Sequence, residues 1–203
     1  MWDIKTFNCV FDLAKSKKDT KVAVACAAES HVMAAANQAV DKGIASMILV
    51  GDEAKMKQIA AAEGIDLTKF EIINEPDAAA ACKAAVDLVV AGKASALMKG
   101  DIDTSVVMRA ALAREGGMRV GKKLNHIAVF ESSNYHKLIF ATDCAVNIAP
   151  DFDTFVDLIE NTTSALHNLG IEKPKVALIA AKEKADDKMP VTLEWARLVE
   201  LHK

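Results

Sequence analysis

From Lys21 onward, short apolar runs alternate with longer stretches of helical periodicity, and this alternation restricts the fold more than any other feature. Such a pattern is typical of βαβ units, which build a parallel sheet covered by helices. Four apolar runs predict strands in the first half of the chain, at 22–26, 46–50, 70–73 and 95–98. The stretches between them predict helices, at 30–42, 53–63 and 77–91.

Three glycines, Gly43, Gly64 and Gly92, follow the ends of these predicted helices, where a left-handed residue is favoured. The composition agrees with a buried sheet, because 52% of the residues are hydrophobic while only 5% are aromatic. A core of Ala, Val, Ile and Leu is the usual filling between helices and parallel strands. We therefore predict an α/β fold with a mostly parallel sheet and helices on both faces.

The pattern changes after a fourth predicted helix at 104–114 and a basic, glycine-rich loop at 116–125. Two apolar runs, 126–130 and 138–146, are too close together for a helical crossover, so they should pair as an antiparallel hairpin. The remaining predicted elements are a helix, a buried strand and a helix, at 153–169, 175–181 and 192–202. We expect two domains, 1–124 and 125–203.

Charge and cysteine usage exclude several classes of protein. A net charge of -3, from 25 basic and 28 acidic residues, offers no general attraction for nucleic acid. The 4 cysteines are far apart and form no CxxC pair, so neither a disulfide framework nor a zinc site is indicated. The first 19 residues suit an amphipathic helix better than a signal peptide, and no apolar run reaches the ~18 residues of a membrane span. We expect a cytoplasmic protein with reduced thiols and no membrane partner.

The most informative segment is 96–112, which leads a predicted strand through Lys99 and Gly100 into a helix. At such a junction the free N–H groups of the first helical turn and the helix dipole favour a phosphate. Gly100 would let the phosphate approach the backbone, and Lys99 adds a full charge. Thr104 or Ser105 could cap the helix or donate to the ligand.

An ordinary structural role for this segment stays open. Lys99 could be a solvated lysine at a strand end and Thr104 only a cap, and the charges of Asp101 and Asp103 oppose an anion.

The basic loop at 116–123 also allows a binding role or a purely structural one. There Arg119, with Lys122 and Lys123 beside it, could hold a phosphate group or form a solvated connection.

A second polar cluster, Thr142, Asp143 and Asn147, ends the second predicted hairpin strand. Polar groups at a strand end often face a cleft, but turn chemistry explains Asn147 equally well. No Walker loop, G-x-S-x-G elbow or G-x-G-x-x-G fingerprint occurs. This absence disfavours ATP-dependent transfer, serine hydrolysis and ordinary dinucleotide binding.

Three histidines and one cysteine are the remaining candidates for catalytic or metal-binding residues. His31, His126 and His136 lack partners at ligand spacing, so we read them as structural and predict no metal site. Cys144 has apolar neighbours and no evident base, which favours a place in the core.

Four long segments occur in a fixed order: LMKGDIDTSVVMRAAL, NHIAVFE, LIFATDCAVNIAPDFDT and LGIEKPKVALIAAKEKADDKMPVTLEWA. Through them the chain resembles the phosphate acetyl/butyryltransferase family, and within it the phosphate butyryltransferases. The resemblance covers nearly the whole chain. One departure is Asn125, where the family pattern leads us to expect serine before His126.

The resemblance implies a two-domain architecture like that of isocitrate and isopropylmalate dehydrogenases, usually dimeric, with the substrate cleft between the domains. It implies exchange of a short acyl group, butyryl or similar, between coenzyme A and inorganic phosphate through a ternary complex. Coenzyme A is then a substrate, and neither a metal nor another cofactor is needed. Lys99, Gly100, Thr104, Ser105 and Arg119 become the expected anion contacts. Thr142, Asp143 and Asn147 are expected on the opposite wall.

Family members that the chain resembles continue well beyond its last predicted helix, so we expect the family architecture to be C-terminally incomplete here. Their further part carries a Ser-Arg motif with a nearby acidic residue, and no position here matches it, so we assign no catalytic residue. Two alternatives stay open. One is a truncated homologue that binds coenzyme A or phosphate without turnover. The other is an oxidoreductase of related architecture, which would be marked by clustered metal-binding aspartates that the sequence lacks.

Overall fold

The computed structural model describes residues 4–17 and 19–202. The chain divides into two compact units, one of Phe11–Val120 and one of Met1–Val10 with Gly121–Lys203. We call the first the sheet unit and the second the hairpin unit. The domain division at residues 124 and 125 stays a prediction about the family architecture.

The sheet unit is built on four parallel strands in the order β3-β2-β1-β4. The strands are β1 (Lys21–Ala25), β2 (Ser46–Gly51), β3 (Glu71–Asn74) and β4 (Ala96–Lys99). The central strand β1 pairs on both sides, so that Val24 lies opposite Leu49 of β2 and Met98 of β4. The helices of this part of the chain are α1 (Phe7–Ser16), α2 (Ser30–Asp41), α3 (Glu53–Glu63), α4 (Ala78–Val90) and α5 (Thr104–Ala111), and a 3-10 turn spans Leu67–Lys69.

Alternate side chains of the strands enter two separate cores, one on each face of the sheet. Ala23 and Ile48 pack in a core with residues of α4 and α5. On the opposite face Val24 packs in a core with Met33 of α2 and Met56 of α3, and all three side chains are 0% exposed. A strand buried on both faces by helices is what the apolar runs predicted. The predicted α/β fold with helices on both faces is therefore confirmed.

The ends of these helices also agree with the prediction. Gly43, Gly64 and Gly92 have φ values of 66°, 68° and 69°, in the left-handed region. At the other end, α3 and α4 are capped by Asp52 and Asp77, whose carboxylates accept hydrogen bonds from first-turn N–H groups. Local capping chemistry thus fixes the length of the helices that cover the sheet.

The hairpin unit contains the predicted antiparallel pair, β5 (Ala128–Phe130) and β6 (Ile139–Ala141). Two helices follow, α6 (Phe152–Asn168) and α7 (Pro190–His202). The strand predicted at 138–146 is only three residues long, because Asp143 folds the backbone after β6 into a turn. The side chain of that aspartate accepts hydrogen bonds from Ala145 and Val146.

The prediction of a buried strand at 175–181 is wrong. Residues 174–180 form no regular structure, and Val176 and Ile179 are 55% and 83% exposed. An apolar run becomes a strand only where another strand offers its backbone groups. In the described part of the chain, β5 and β6 pair with each other and with no third strand.

No helix within residues 4–17 and 19–202 has the length and apolar character that crossing a membrane requires. Residues 1–3 and 18 of the predicted N-terminal amphipathic helix lie outside the described residues, and the described helix there is α1.

Candidate functional site

The order of the strands defines a switch point beside β1. The chain moves from β1 to β2 and β3, and then returns to place β4 on the other side of β1. Open α/β sheets bind ligands at the carboxyl ends of the two strands where the order reverses. Here those ends are followed by Cys26 after β1 and by Gly100 after β4. The predicted anion-binding junction therefore lies at the switch point of the sheet.

Two hydrogen bonds tie the loop after β4 to the end of β1. The N–H of Gly100 donates to the carbonyl oxygen of Ala25 at 2.8 Å, and the N–H of Asp101 donates to that of Cys26 at 3.0 Å. A Cβ atom on Gly100 would lie 2.2 Å from the Cys26 oxygen and 2.4 Å from the Ala25 oxygen. Close backbone packing thus requires glycine here, whereas the sequence suggested the approach of a phosphate.

The amides that directly follow β4 are occupied. Besides those of Gly100 and Asp101, the N–H of Ile102 donates to the Gly100 oxygen at 3.1 Å. The exposed Lys99 side chain follows the same loop, because its Nζ donates to the carbonyl oxygens of Ile102 at 2.9 Å and Gly100 at 3.3 Å. These contacts leave the first turn of α5 as the place where backbone amides can meet a ligand.

The first turn of α5 differs from those of α2, α3 and α4, because its N-cap Asp103 makes no side-chain capping bond. Val106 donates to the Asp103 carbonyl at 3.0 Å. Thr104 and Ser105 are exposed, and in the described part of the chain neither their N–H groups nor their hydroxyls have a hydrogen-bond partner. Two amides and two hydroxyls at the positive end of a helix can bind an anion.

The other charged residues near α5 do not add to an anion site at its first turn. Asp101 and Asp103 are exposed, and their negative charges oppose an anion at the start of α5. Arg119 is exposed after α5 and, among residues 4–17 and 19–202, makes no hydrogen bond or ion pair. The structure therefore joins Lys99, Gly100 and the start of α5, but it shows no contact between Arg119 and that junction.

In the hairpin unit, the predicted cluster of Thr142, Asp143 and Asn147 is present and connected. The Asn147 side-chain amide donates to an Asp143 carboxylate oxygen at 2.5 Å and to the Leu124 carbonyl oxygen at 2.9 Å. The amide of Asn125 donates to the Thr142 hydroxyl oxygen at 2.8 Å. Leu124 and Asn125, which contact this cluster, both belong to the segment that precedes β5.

The Asp143 carboxylate is surrounded by hydrogen-bond donors. Besides the Asn147 side chain, it accepts from the backbone N–H groups of Ala145, Val146 and Asn147 at 3.0, 3.1 and 3.0 Å, and from that of His126 at 3.3 Å. Burial acts to raise the pKa of Asp143, but these hydrogen bonds outweigh it and lower the pKa to about 2. Asp143 is thus ionised at neutral pH and organises its loop, while the Thr142 hydroxyl keeps a proton to donate.

Helix α6 makes several contacts with the basic segment before β5, for which the sequence left open a solvated connection. Glu160 pairs with Lys122 at 2.6 Å, and Asp157 accepts from the Lys123 N–H at 3.0 Å. The Asn161 amide donates to the Lys123 carbonyl oxygen at 2.7 Å. Asp157, Glu160 and Asn161 lie on one face of α6, as their spacing in the sequence predicts. The sequence does not show that this face contacts the segment before β5.

Asn125 is the connecting residue that sequence reasoning missed. Its side-chain amide donates to Thr162 of α6 at 3.1 Å as well as to Thr142, and its side-chain oxygen accepts from Asn161 at 3.2 Å. The departure from the family pattern at this position therefore has a structural role, since it links the end of β6 to α6.

The structure agrees with the predictions for the histidines but not with the prediction for Cys144. His31, His126 and His136 are exposed, and the described residues contain no group of three or more potential metal ligands. Cys144 is exposed, so its expected place in the core is wrong. The sulfurs of two other cysteines, Cys26 and Cys82, lie 3.9 Å apart, although 56 residues separate them in the sequence.

In the part of the chain that the structure describes, each unit has a cavity. In the sheet unit a space of about 230 Å³ is lined by Cys26 at the switch point and by three carboxylates, Asp52, Glu75 and Asp101. In the hairpin unit a space of about 430 Å³ lies beside α6 and α7, where the Arg197 guanidinium stands 4.1 Å from the centre of the Phe152 ring. The first cavity has three carboxylates against one basic residue, Lys55, in its lining, which makes it a poor place for phosphate.

An open parallel sheet with unpaired helical amides at its switch point is the kind of fold that binds phosphorylated ligands. Residues 5–83 and 78–203 match the family model described as phosphate acetyl/butaryl transferase. The chain belongs to this family, as its ordered segments predicted.

Curated relatives give the same result. The chain is 44% identical over 195 residues to a phosphate butyryltransferase of Clostridium acetobutylicum, a match that covers 96% of this chain and 65% of the relative. It is 37% identical over 197 residues to a phosphate butyryltransferase of Clostridium beijerinckii, covering 97% of this chain and 65% of the relative. The chain thus spans about 65% of the length of these relatives.

Solved structures agree on the fold. A branched-chain phosphotransacylase from Enterococcus faecalis has 28% sequence identity and a TM-score of 0.75, with 90% of this chain and 63% of that chain covered. The EutD phosphotransacetylase from Staphylococcus aureus has 19% identity and a TM-score of 0.74, with 95% and 68% covered, and this likeness concerns the fold alone.

Proposed function

We propose that this chain takes part in transferring a short acyl group, butyryl or similar, between coenzyme A and inorganic phosphate. The observation that carries the proposal is the 44% identity to a phosphate butyryltransferase along 96% of this chain. In this proposal coenzyme A is a substrate and no separate cofactor is used. We further propose that the protein is a cytoplasmic homodimer whose subunits have two domains, divided near residue 124.

Such a transfer needs a bound phosphate, a route for the sulfur to leave as thiolate, and donors for the oxyanion that forms at the acyl carbonyl. We assign the phosphate to the first turn of α5, where the amides and hydroxyls of Thr104 and Ser105 lack partners in the described part of the chain. Lys99 would exchange its contacts with the Ile102 and Gly100 oxygens for the anion. Gly100 keeps the loop close to β1.

The remaining predicted contacts complete the proposal. Arg119, exposed in the sheet unit, is proposed to bind a phosphate group of coenzyme A. In the hairpin unit, Thr142 is proposed to donate to substrate while Asp143 and Asn147 hold its loop. The residue that protonates or deprotonates the reacting sulfur is not assigned within this chain.

The direct test measures free thiol released from butyryl-CoA and acetyl-CoA by the purified chain, with and without phosphate. Phosphate-dependent release, faster with butyryl-CoA, is the expected result. If no thiol appears while calorimetry still detects coenzyme A binding, a binding-only role replaces the enzymatic one.

A second test addresses the anion site. Lys99→Ala should weaken phosphate binding about five- to tenfold in calorimetry, as expected for loss of one charge-assisted contact. Lys83→Ala is the matched control, because Lys83 forms an exposed ion pair with Asp87 on α4. An affinity for phosphate that stays unchanged in Lys99→Ala would remove Lys99 from the site.

A further inference from the structure

Cys26 and Cys82 form a dithiol pair at the carboxyl end of β1. Their sulfur atoms are 3.9 Å apart, and the Cys26 sulfur also lies 3.5 Å from the Ala78 carbonyl oxygen. Cys82 is 0% exposed inside the core that α4 forms with the sheet. Cys26 is partly exposed and lines the cavity of about 230 Å³. A small reagent can therefore reach one sulfur of the pair directly, and the other only through it.

The backbone at Cys26 is unusual. Its φ is 55°, in the left-handed region that residues other than glycine seldom adopt. Such conformations persist where the surrounding structure enforces them, and they are found at functional sites. Here the carbonyl oxygen of Cys26 accepts from the Asp101 N–H at 3.0 Å, while the sulfur faces Cys82. One residue thus joins the sulfur pair to the loop after β4.

We propose that Cys26 and Cys82 close to a reversible disulfide when a small hydroperoxide enters the cavity, and that closure loosens the bonds that hold Gly100 and Asp101 to β1. A disulfide brings two sulfurs to ~2.05 Å, so these sulfurs, now at 3.9 Å, must approach by about 1.9 Å. Because Cys82 is fixed in the core, Cys26 makes most of this movement. We expect the carbonyl of the same residue to shift with the sulfur and so to weaken its bond with the Asp101 N–H, now 3.0 Å long.

The chemistry balances in two steps. The Cys26 thiolate attacks one oxygen of the hydroperoxide, which forms a sulfenic acid and releases an alcohol, or water when the oxidant is hydrogen peroxide. The Cys82 sulfur then attacks the sulfenic sulfur, forming the S–S bond and releasing water. Two thiols lose two hydrogens, and the hydroperoxide is reduced by two electrons.

The electrostatic surroundings make the first step slow at neutral pH. Burial, the neighbouring Cys82, and the carboxylates of Asp101 and Asp77 raise the pKa of Cys26 to about 12. Asp52, Glu75 and Lys55 also line the cavity. Since only the thiolate reacts, the rate of oxidation should rise about tenfold for each pH unit between pH 7 and pH 9.

The test treats the full chain with hydrogen peroxide at pH 7, 8 and 9 and then blocks free thiols. Trypsin places the two cysteines in separate peptides, 22–42 and 70–83. The expected product is their linked form, lighter by two hydrogens than the sum of the peptides and removed by dithiothreitol. Cys144→Ser should still give this product, whereas Cys82→Ala should give oxidised Cys26 without a link.

Hydrogen exchange at the Gly100 and Asp101 amides reports on the loop. Exchange of these amides should be at least tenfold faster in the oxidised protein and return to its first rate after reduction. If peroxide at pH 9 oxidises the exposed Cys144 but links no peptides, the dithiol proposal is overturned. Linked peptides with unchanged exchange overturn the effect on the loop.

A consequence for phosphate rests on the proposed function. Oxidised protein should bind phosphate at least threefold more weakly, because α5 follows the loosened loop. Reduced protein that binds no phosphate contradicts the proposed function instead, and the linked peptide and the exchange rates still decide the inference about the cysteines.

Discussion

The sheet unit and the hairpin unit hold their backbones in place by different means. In the sheet unit, β1 pairs with β2 over five consecutive residues and its side chains enter cores in which Val24 and Leu49 are 0% exposed. In the hairpin unit the strands are three residues long, Ile148 is fully exposed and Ile179 is 83% exposed. Much of the backbone there is held instead by side chains, above all by Asp143.

This difference shows which kind of order a sequence carries locally. In the strands and helices of the sheet unit, backbone groups bond mainly to other backbone groups, and the apolar period is enough to place each element. In the hairpin unit, the donors and acceptors are single side chains whose partners lie far along the chain, as Asn161 and Lys123 do. Substitutions should therefore act through packing in the first unit and through individual hydrogen bonds in the second.

The largest expected effect is that of Gly100→Ala in the sheet unit. The new Cβ would lie 2.2 Å from the Cys26 oxygen and 2.4 Å from the Ala25 oxygen, and backbone atoms at the end of the central strand cannot move away. We expect a loss of more than about 3 kcal/mol in the free energy of unfolding, or failure to fold. Urea denaturation followed by circular dichroism measures it.

Gly64→Ala is the matched control for that substitution. Gly64 has a φ of 68° but nothing within 4 Å of an added Cβ, so its replacement tests backbone conformation without a clash. It should cost about 1 kcal/mol. If Gly100→Ala costs no more than Gly64→Ala, the junction between β1 and β4 is not closely packed.

The next effect is that of Asp143→Asn in the hairpin unit. The amide keeps the size of the carboxylate but brings its own N–H groups toward four backbone donors, including those of Ala145 and Val146. We expect a loss of about 1 kcal/mol at pH 7, after allowing for solvent screening of this half-buried group. Asp187→Asn, at an exposed aspartate of the same unit, should change nothing measurable.

The pH dependence gives Asp143→Asn a distinctive signature. Because the pKa of Asp143 is lowered to about 2 in the folded chain, below ~3.9 in an unfolded chain, its contribution is present above about pH 4 and lost as the pH falls through 2. The stability difference between the original chain and Asp143→Asn should therefore shrink between pH 4 and pH 2. A difference that stays constant over this range would mean that the carboxylate charge is not what holds the loop.

How far the sequence predicts each unit follows from the same physics. The helix predicted at 53–63 is α3 with identical bounds, because an apolar period, an aspartate cap and a terminal glycine all act within its own residues. The run at 175–181 has the same apolar character but no neighbouring strand in the described part of the chain. Apolar character can be read from the sequence, whereas the presence of a partner cannot.

The candidate site shows the same limit. The segment that contains Lys99 and Gly100 was predicted from its strand-to-helix pattern, and the structure places it at the switch point. The 3.9 Å contact of Cys26 with Cys82 depends on how β1 and α4 pack, so no spacing of residues reveals it. Asn125 was noticed only as a departure from a pattern, because the fold brings its partners, Thr142 after β6 and Thr162 of α6, next to it.

The smallest expected effect concerns the ion pair between Lys122 and Glu160, and it tests whether charge or hydrogen bonding to the backbone orders the hairpin unit. Their charged atoms are 2.6 Å apart and exposed, and the hydrogen bond to Glu160 raises the pKa of Lys122. Solvent and salt screen such a pair, so Lys122→Met should leave the urea midpoint unchanged in low and high salt. Lys83→Met is the control in the sheet unit, where Lys83 forms a similar exposed pair. A loss in Lys122→Met as large as in Asp143→Asn would show that exposed charges, and not only donors and acceptors bonded to the backbone, fix this unit.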